Sequence, residues 1–325
     1  MNTILWIVVP CYNEEEVLPI SEKLFRDTLE SLIIKRKISP QSRILFVDDG
    51  SKDNTWDLIQ HYALKYPSVC GISLSRNHGH QNALLAGMME AKQVADIVIT
   101  IDCDGQDDLD AMEKMVDAYH DGCDIVYGVR SRRNTDTYFK RKTAGWFYKL
   151  MKRAGADIIE DHADYRLLSS RVLHELEKFK ETNLFLRGMI PLVGFKSTAV
   201  HYERRERIAG KTKYSLRKMA GLAFDGIASF SIAPLRMIMA AGFLVAFLSF
   251  FGVLWAVVTE FMGKTVAGWA SMTCIICFVG GVQLISLGVL GEYIGKIFLE
   301  VKARPRYIIR ERTEILSGIQ DSKDK

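Results

Sequence analysis

The chain has 325 residues, 25% of them charged, and a formal net charge of +4. That length admits one large domain plus an appendage. The positive charge is clustered but comes with no nucleic-acid motif, so nucleic acid is not an expected partner. The six cysteines show no disulfide framework, and a reducing cytoplasmic setting fits them.

The apolar run Ile4–Pro10 is too short for a signal peptide and lacks a basic leader, so it reads as a first strand. Further β-branched runs at Arg43–Val47, Val69–Leu74, Ile97–Ile101 and Ile125–Tyr127 predict strands. Between them, helices are predicted over 14–35, 54–66, 79–93 and 109–121. This alternation argues an α/β domain with a mainly parallel sheet, whose ligand loops lie at the carboxyl ends of the strands. Past residue 130 the regularity fades. Tyr138–Arg153 is a basic, aromatic-rich helix candidate, for which a solvated face and a membrane-surface role both fit. Leu216, Met219, Ala223, Ile227 and Phe230 follow helical spacing and predict an amphipathic interfacial helix.

Met237–Val258 carries no charge across 22 positions, and Trp269–Gly291 none across 23. Each run is long enough to cross a hydrocarbon core of ~30 Å as a helix. Seven Arg or Lys against two Glu lie between Glu203 and Lys218, and six against three between Glu292 and Arg312. Positive flanks stay inside, so both soluble ends are expected to be cytoplasmic, at the inner membrane. Such flanks also suit an anionic lipid headgroup. Cys274 and Cys277 form a CxxC inside the second run, where packing is expected rather than redox chemistry. The expected organisation is a cytoplasmic catalytic domain (1–213), a juxtamembrane amphipathic helix (214–235), a two-helix transmembrane hairpin (236–294) and a basic cytoplasmic tail (295–325), whose last residues Ser317–Lys325 read as disordered.

The motifs sit at strand ends. Asp102-Cys103-Asp104-Gly105-Gln106 follows the fourth strand. In an extended chain, residues two apart share a side, so both carboxylates would face one hard divalent cation, Mg2+ or Mn2+. Val9–Glu15 closes the first strand and Val47–Asp53 the second. There Gly50 permits a tight turn, and Ser51 or Asp53 can cap the next helix. Arg76-Asn77-His78-Gly79 closes the third strand, placed to meet phosphate. No third nitrogen or sulfur ligand accompanies His78 and His80, so they read as loop histidines rather than zinc ligands. Arg130, Arg132 and Arg133 form a basic cluster that a solvated loop would also explain.

In chain order, VPCYNEEE, VDDGSKDNT, LSRNHGHQNALLAG and DCDGQDD resemble the family 2 glycosyltransferases with the GT-A fold. Asp164-Tyr165-Arg166-Leu167 and the stretch Arg204–Ser215 resemble the polyprenyl-phosphate branch of that family, with dolichyl-phosphate mannose synthase and the bactoprenol glucosyltransferases. The resemblance implies transfer of a sugar from a nucleotide sugar to undecaprenyl phosphate, with inversion and metal dependence. It implies Pro10, Tyr12, Glu14, Asp49 and Arg76 around the nucleotide, and Asp102, Asp104 and Gln106 at the metal and diphosphate. It implies Asp164 near the reaction centre, Arg130 and Arg141 on the lipid phosphate, and Lys211 and Lys213 in a loop closing over donor or acceptor. Gly145 stands where some relatives carry a hydroxyl residue four positions after the second cation.

UDP-glucose and a UDP-N-acetylhexosamine are the leading donors. GDP-mannose and a modified amino sugar are the alternatives. A homo-oligomer and a separate flippase are compatible partners. A processive polysaccharide synthase would carry Gln-x-x-Arg-Trp, which is absent from the sequence. A non-catalytic nucleotide-binding membrane scaffold is the reading from another class, and the intact pair of DxD carboxylates speaks against it.

Overall fold

The computed structural model describes residues 2–130, 162–182, 184–203, 233–262, 269–314 and 316. The helix expected over Tyr138–Arg153, the amphipathic stretch Leu216–Phe230, the terminal Ser317–Lys325, and Arg132, Arg133, Arg141, Lys211 and Lys213 lie outside the described residues.

The first four strands and their helices alternate as predicted: β1 (Leu5–Cys11), α1 (Leu18–Ile34), β2 (Arg43–Asp48), α2 (Thr55–Lys65), β3 (Val69–Leu74), α3 (His80–Ala91), β4 (Ile97–Thr100) and α4 (Ala111–His120). β1 pairs in parallel with β2 and β4, and β2 with β3. Every residue of β1, β3 and β4 is buried, which is why these strands read as unbroken apolar runs rather than alternating ones. α3 packs directly on this sheet. A Cβ at Gly87 would lie 2.4 Å from Val8 Cγ1 and 2.8 Å from Val47 Cγ2, so only glycine permits that approach.

β5 (Ile125–Arg130), β6 (His162–Ser169), α5 (Ser170–Leu176), α6 (Leu186–Leu192) and β7 (Ser197–Tyr202) complete the other flank. β6 runs antiparallel between β4 and β5, and β7 lies parallel to β5. The order across the sheet is β7-β5-β6-β4-β1-β2-β3-β8.

β8 (Ile309–Arg312) comes from beyond the long helices and pairs antiparallel with β3. The segment 295–325 was expected as a basic tail. Its first residues instead continue a helix, and four of the later ones form an edge strand of the catalytic sheet. The residues 304–314 group with that sheet as one compact unit.

The second unit contains α7 (Ala233–Phe261) and α8 (Trp269–Lys302). Large apolar side chains such as Phe243, Phe247, Ile276 and Leu287 stand exposed on them, an arrangement that water disfavours and lipid accepts. Among the described residues, Phe278–Lys302 is the one segment long and apolar enough to cross a membrane by length and composition.

Candidate active site

The carboxyl ends of β1, β2 and β3 meet in a set of interlocked turns. Cys11 pairs with Asp48, so the loops after these two strands start side by side. Asn13, at φ 53°, receives the Lys52 amide on its side-chain oxygen at 2.9 Å, while its own amide donates to Ser51 Oγ at 3.0 Å. The Glu14 amide donates to Thr55 Oγ1 at 2.9 Å, and the Glu15 amide to Asp53 at 3.2 Å.

Asp49, buried, accepts the amides of His78 at 2.7 Å and Gly79 at 3.0 Å, one on each carboxylate oxygen. Burial raises its carboxyl above the ordinary range, and these two amides oppose the rise. Gly50, at φ +65°, lies against the third-strand turn: a Cβ there would sit 2.4 Å from the Arg76 carbonyl carbon. Pro10 is buried in β1, whereas Tyr12, at 41% exposure, and Arg76 face outward. Pro10, Tyr12, Glu14, Asp49 and Arg76 are therefore all carried at or just beyond these strand ends.

The second cluster forms where β4 and β6 run past each other. Thr100 pairs with Arg166, so two residues further along the antiparallel register Asp102 comes opposite Asp164. β4 ends at Thr100, and Cys103-Asp104 lie in a turn rather than in extended chain. The same-side argument for the two DxD carboxylates therefore does not apply as stated. Cys103 points into the core, and Asp104 Oδ1 accepts the Gln106 amide at 3.1 Å. Gln106 itself is buried.

His80, at the first turn of α3, places Nε2 3.4 Å from both Asp102 Oδ1 and Asp164 Oδ2. Arg187 on α6 grips Asp164 with Nε at 3.2 Å and Nη2 at 3.0 Å, and Arg166 donates to the same carboxylate. Burial acts to raise Asp164, but His80, Arg166 and Arg187 outweigh it and hold the carboxyl well below the usual range. Burial lowers the Arg166 guanidinium, which is almost wholly enclosed and depends on Asp164 for compensation. Burial pushes Asp102 the other way, up to about 6, with the neighbouring carboxylates adding to the rise.

Asp102 Oδ1 is buried and has no hydrogen-bond partner among the described residues. An oxygen of that kind suits a cation. No group of three or more His, Cys, Asp or Glu side chains is arranged around a metal position among the described residues. A magnesium-like ion needs only one or two carboxylates when substrate phosphates supply the remainder, so Asp102 and Asp104 fit one.

A third cluster anchors Arg130. β5 and β7 are registered so that Arg130 lies beside Tyr202. The Tyr202 hydroxyl donates to Asp107 Oδ1 at 2.6 Å, and Arg130 reaches the same oxygen at 3.2 Å. Arg130 thus keeps 31% of its side chain exposed while its head is tethered.

Sequence reasoning missed His80 as a member of this site, and it missed Arg187, Tyr202 and Asp107 altogether. His80 had a usable signal, since it opens the helix that follows the third-strand turn. Arg187 and Tyr202 had none, because only the placement of α6 and the pairing of β7 with β5 bring them to the motifs.

Comparison with known proteins follows the same outline. The model of glycosyl transferase family 2 matches residues 6–177, and that of the GtrB C-terminal hairpin matches 233–297. An uncharacterized glycosyltransferase of Bacillus subtilis, YkoT, is 51% identical over 94% of this chain and 91% of its own. The bactoprenol glucosyl transferase of Shigella phage SfX is 42% identical over 94% of this chain and 98% of its own. Among solved structures, the mannosyltransferase PcManGT of Pyrobaculum calidifontis, in complex with GDP-Man and Mn2+, is 15% identical and superposes with a TM-score of 0.49 over 100% of this chain and 88% of its own.

Proposed function

The chain belongs to glycosyl transferase family 2, and from that premise we propose that it transfers glucose from UDP-glucose to undecaprenyl phosphate at the cytoplasmic face of a membrane. The observation that carries the reading is the meeting of Asp102, Asp164, His80 and Arg187 beyond β4, beside the interlocked turns of β1–β3. Glucose and the lipid carrier are favoured by the 42% identity to a bactoprenol glucosyl transferase.

Pro10, Tyr12, Glu14, Asp49 and Arg76 hold the nucleoside and its phosphates, and Gln106 and Lys211 complete the donor site. Asp102 and Asp104 hold a divalent cation, Mg2+ or Mn2+, which when bound neutralises charge on the departing diphosphate. Arg130, Arg187, Arg141 and Lys213 hold the acceptor phosphate against the donor. Arginine suits the task because its planar fork engages phosphate oxygens in pairs.

The acceptor is a phosphate monoester, already ionised at neutral pH with a second pKa near ~6. It attacks the anomeric carbon from the face opposite the diphosphate. The new bond joins its oxygen to that carbon, the old bond to the diphosphate oxygen breaks, and the electron pair leaves with UDP. No proton has to be removed. Asp164, held well below the usual carboxylate range by His80, Arg166 and Arg187, is a weak base and orients Arg187 instead.

β8 follows α7 and α8 in the chain yet belongs to one sheet with β1–β7, so the chain returns to the catalytic domain after the two helices. This supports an even number of crossings, and the basic flanks support a cytoplasmic catalytic face.

The test is transfer of radiolabelled sugar from a panel of UDP and GDP sugars to undecaprenyl phosphate, with and without Mg2+ or Mn2+. A metal-dependent glycolipid from UDP-glucose is the expected result. A product from GDP-mannose or an amino-sugar donor alone would replace the proposed donor. No product from a preparation that still binds nucleotide would favour the scaffold reading.

A further inference from the structure

The segment that follows the long helices does more than close the sheet. Ile309–Arg312 pairs with β3, and the pairing shifts register between Ser73 and Leu74, at the last step before the Arg76 turn. Beyond that shift, the Ser75 amide donates to the Ile308 carbonyl at 2.9 Å. The Arg306 backbone faces the His78 imidazole closely enough to favour its protonated form. The opposite side of the same turn is held by Asp49 and Gly50.

The strand is itself fastened at several points away from the site. Trp56 Nε1 donates to Glu311 at 3.0 Å, and Arg312 pairs with Glu90 through Nε at 2.9 Å and Nη2 at 3.2 Å. Thr313 exchanges backbone and side-chain bonds with Gly71, and Arg306 Nη1 donates to the Phe179 carbonyl at 2.9 Å. A strand needed only to cover an edge would not require contacts past the end of its ladder. Ile308 and Arg306 make such contacts, and both fall on the turn.

We propose that residues 306–312 are a positioning clip, which presses the Arg76–Gly79 turn against Asp49 and Gly50 so that the turn is set for a nucleoside diphosphate. The inference rests on the reading of that turn as part of the donor site. Under it, the return segment of the membrane anchor is a working part of nucleotide binding that acts through the turn rather than on the substrate itself.

The test uses the full-length protein with Glu311 and Arg312 both replaced by alanine, which loosens the clip without touching the turn. UDP with Mn2+ is titrated calorimetrically, and amide hydrogen exchange is followed at His78 and Gly79. The clip predicts a UDP Kd raised roughly five- to tenfold, the scale of one or two lost hydrogen bonds. It also predicts faster exchange at both amides and an unchanged KM for undecaprenyl phosphate. A lower melting temperature with unchanged Kd and unchanged exchange would overturn it, leaving β8 as an edge cover. If the double variant does not stay folded, Thr313→Val is read in the same way. Should the unmodified protein bind neither UDP nor GDP, the donor reading fails, and exchange at His78 and Gly79 then decides the clip alone.

Discussion

The two flanks of the catalytic sheet are built by different means. On the β1–β3 side, turns hold one another through backbone amides and short polar side chains, as in Asp49 on His78 and Gly79 or Asn13 on Lys52. On the β4–β7 side, long charged side chains make the contacts: Arg187 reaches Asp164 from α6, Arg166 reaches it along β6, and Arg130 reaches Asp107 in the loop after β4. In the function proposed above, the first arrangement holds the nucleotide and the second arranges charge where the transfer takes place. If the division is real, changes on the second side should slow turnover and leave nucleotide binding alone, and changes on the first should do the reverse.

The largest expected effect lies at the seam between the flanks. Asp102→Asn should lower transfer roughly a thousandfold, because the several kcal/mol that a metal contributes convert at about 1.36 kcal/mol per decade. Steady-state transfer at saturating donor checks this.

Next comes Arg187→Ala, expected to lower kcat by roughly a hundredfold through a misplaced acceptor, with UDP affinity unchanged by calorimetry. On the other flank, Gly50→Ala forces a Cβ onto the Arg76 backbone at a positive φ. It should raise the donor KM by about tenfold, with little change in acceptor KM. Tyr202→Phe removes the 2.6 Å bond to Asp107. The looser Arg130 should raise the acceptor KM only about threefold, the scale of one hydrogen bond.

Asp164 adds a dependence on pH. Its folded-state pKa is depressed by His80, Arg166 and Arg187 acting against burial. The stabilisation is therefore present above the unfolded carboxyl value of about 3.9 and lost as pH falls through and below it. Wild-type protein and Asp164→Asn should differ in melting temperature near neutrality and begin to converge only as pH falls below about 4. The asparagine is the informative replacement. It removes the charge but keeps an acceptor for Arg166, whereas Asp164→Ala would remove both and cost about 3–5 kcal/mol of stability.

The sequence made the β1–β4 flank readable because its signals are local. Each strand is a continuous apolar run, and each turn declares itself through Gly50, Gly79 or the Asp102–Gln106 motif. β6 was seen only as Asp164–Leu167, since His162–Ser169 mixes polar and apolar residues without alternation. β8 was hidden for a related reason: Ile309-Arg310-Glu311-Arg312 is charged, as an edge strand tolerates, and read as tail. His80 and Arg187 lie 22 and 85 residues from Asp102 in sequence, so only the packing of α3 and α6 about the sheet could bring the three together. The same-side geometry expected for the DxD carboxylates does not hold, because the strand ends before them and a turn takes over.

The most direct test of this division is calorimetric titration of UDP with Mn2+ into Asp164→Asn, set beside its turnover. The account predicts a UDP affinity equal to that of the unmodified protein and a kcat reduced roughly tenfold to a hundredfold. Loss of UDP binding together with turnover would show that the two flanks are one site. Complete loss of turnover with UDP binding intact would make Asp164 the base that the account says it is not.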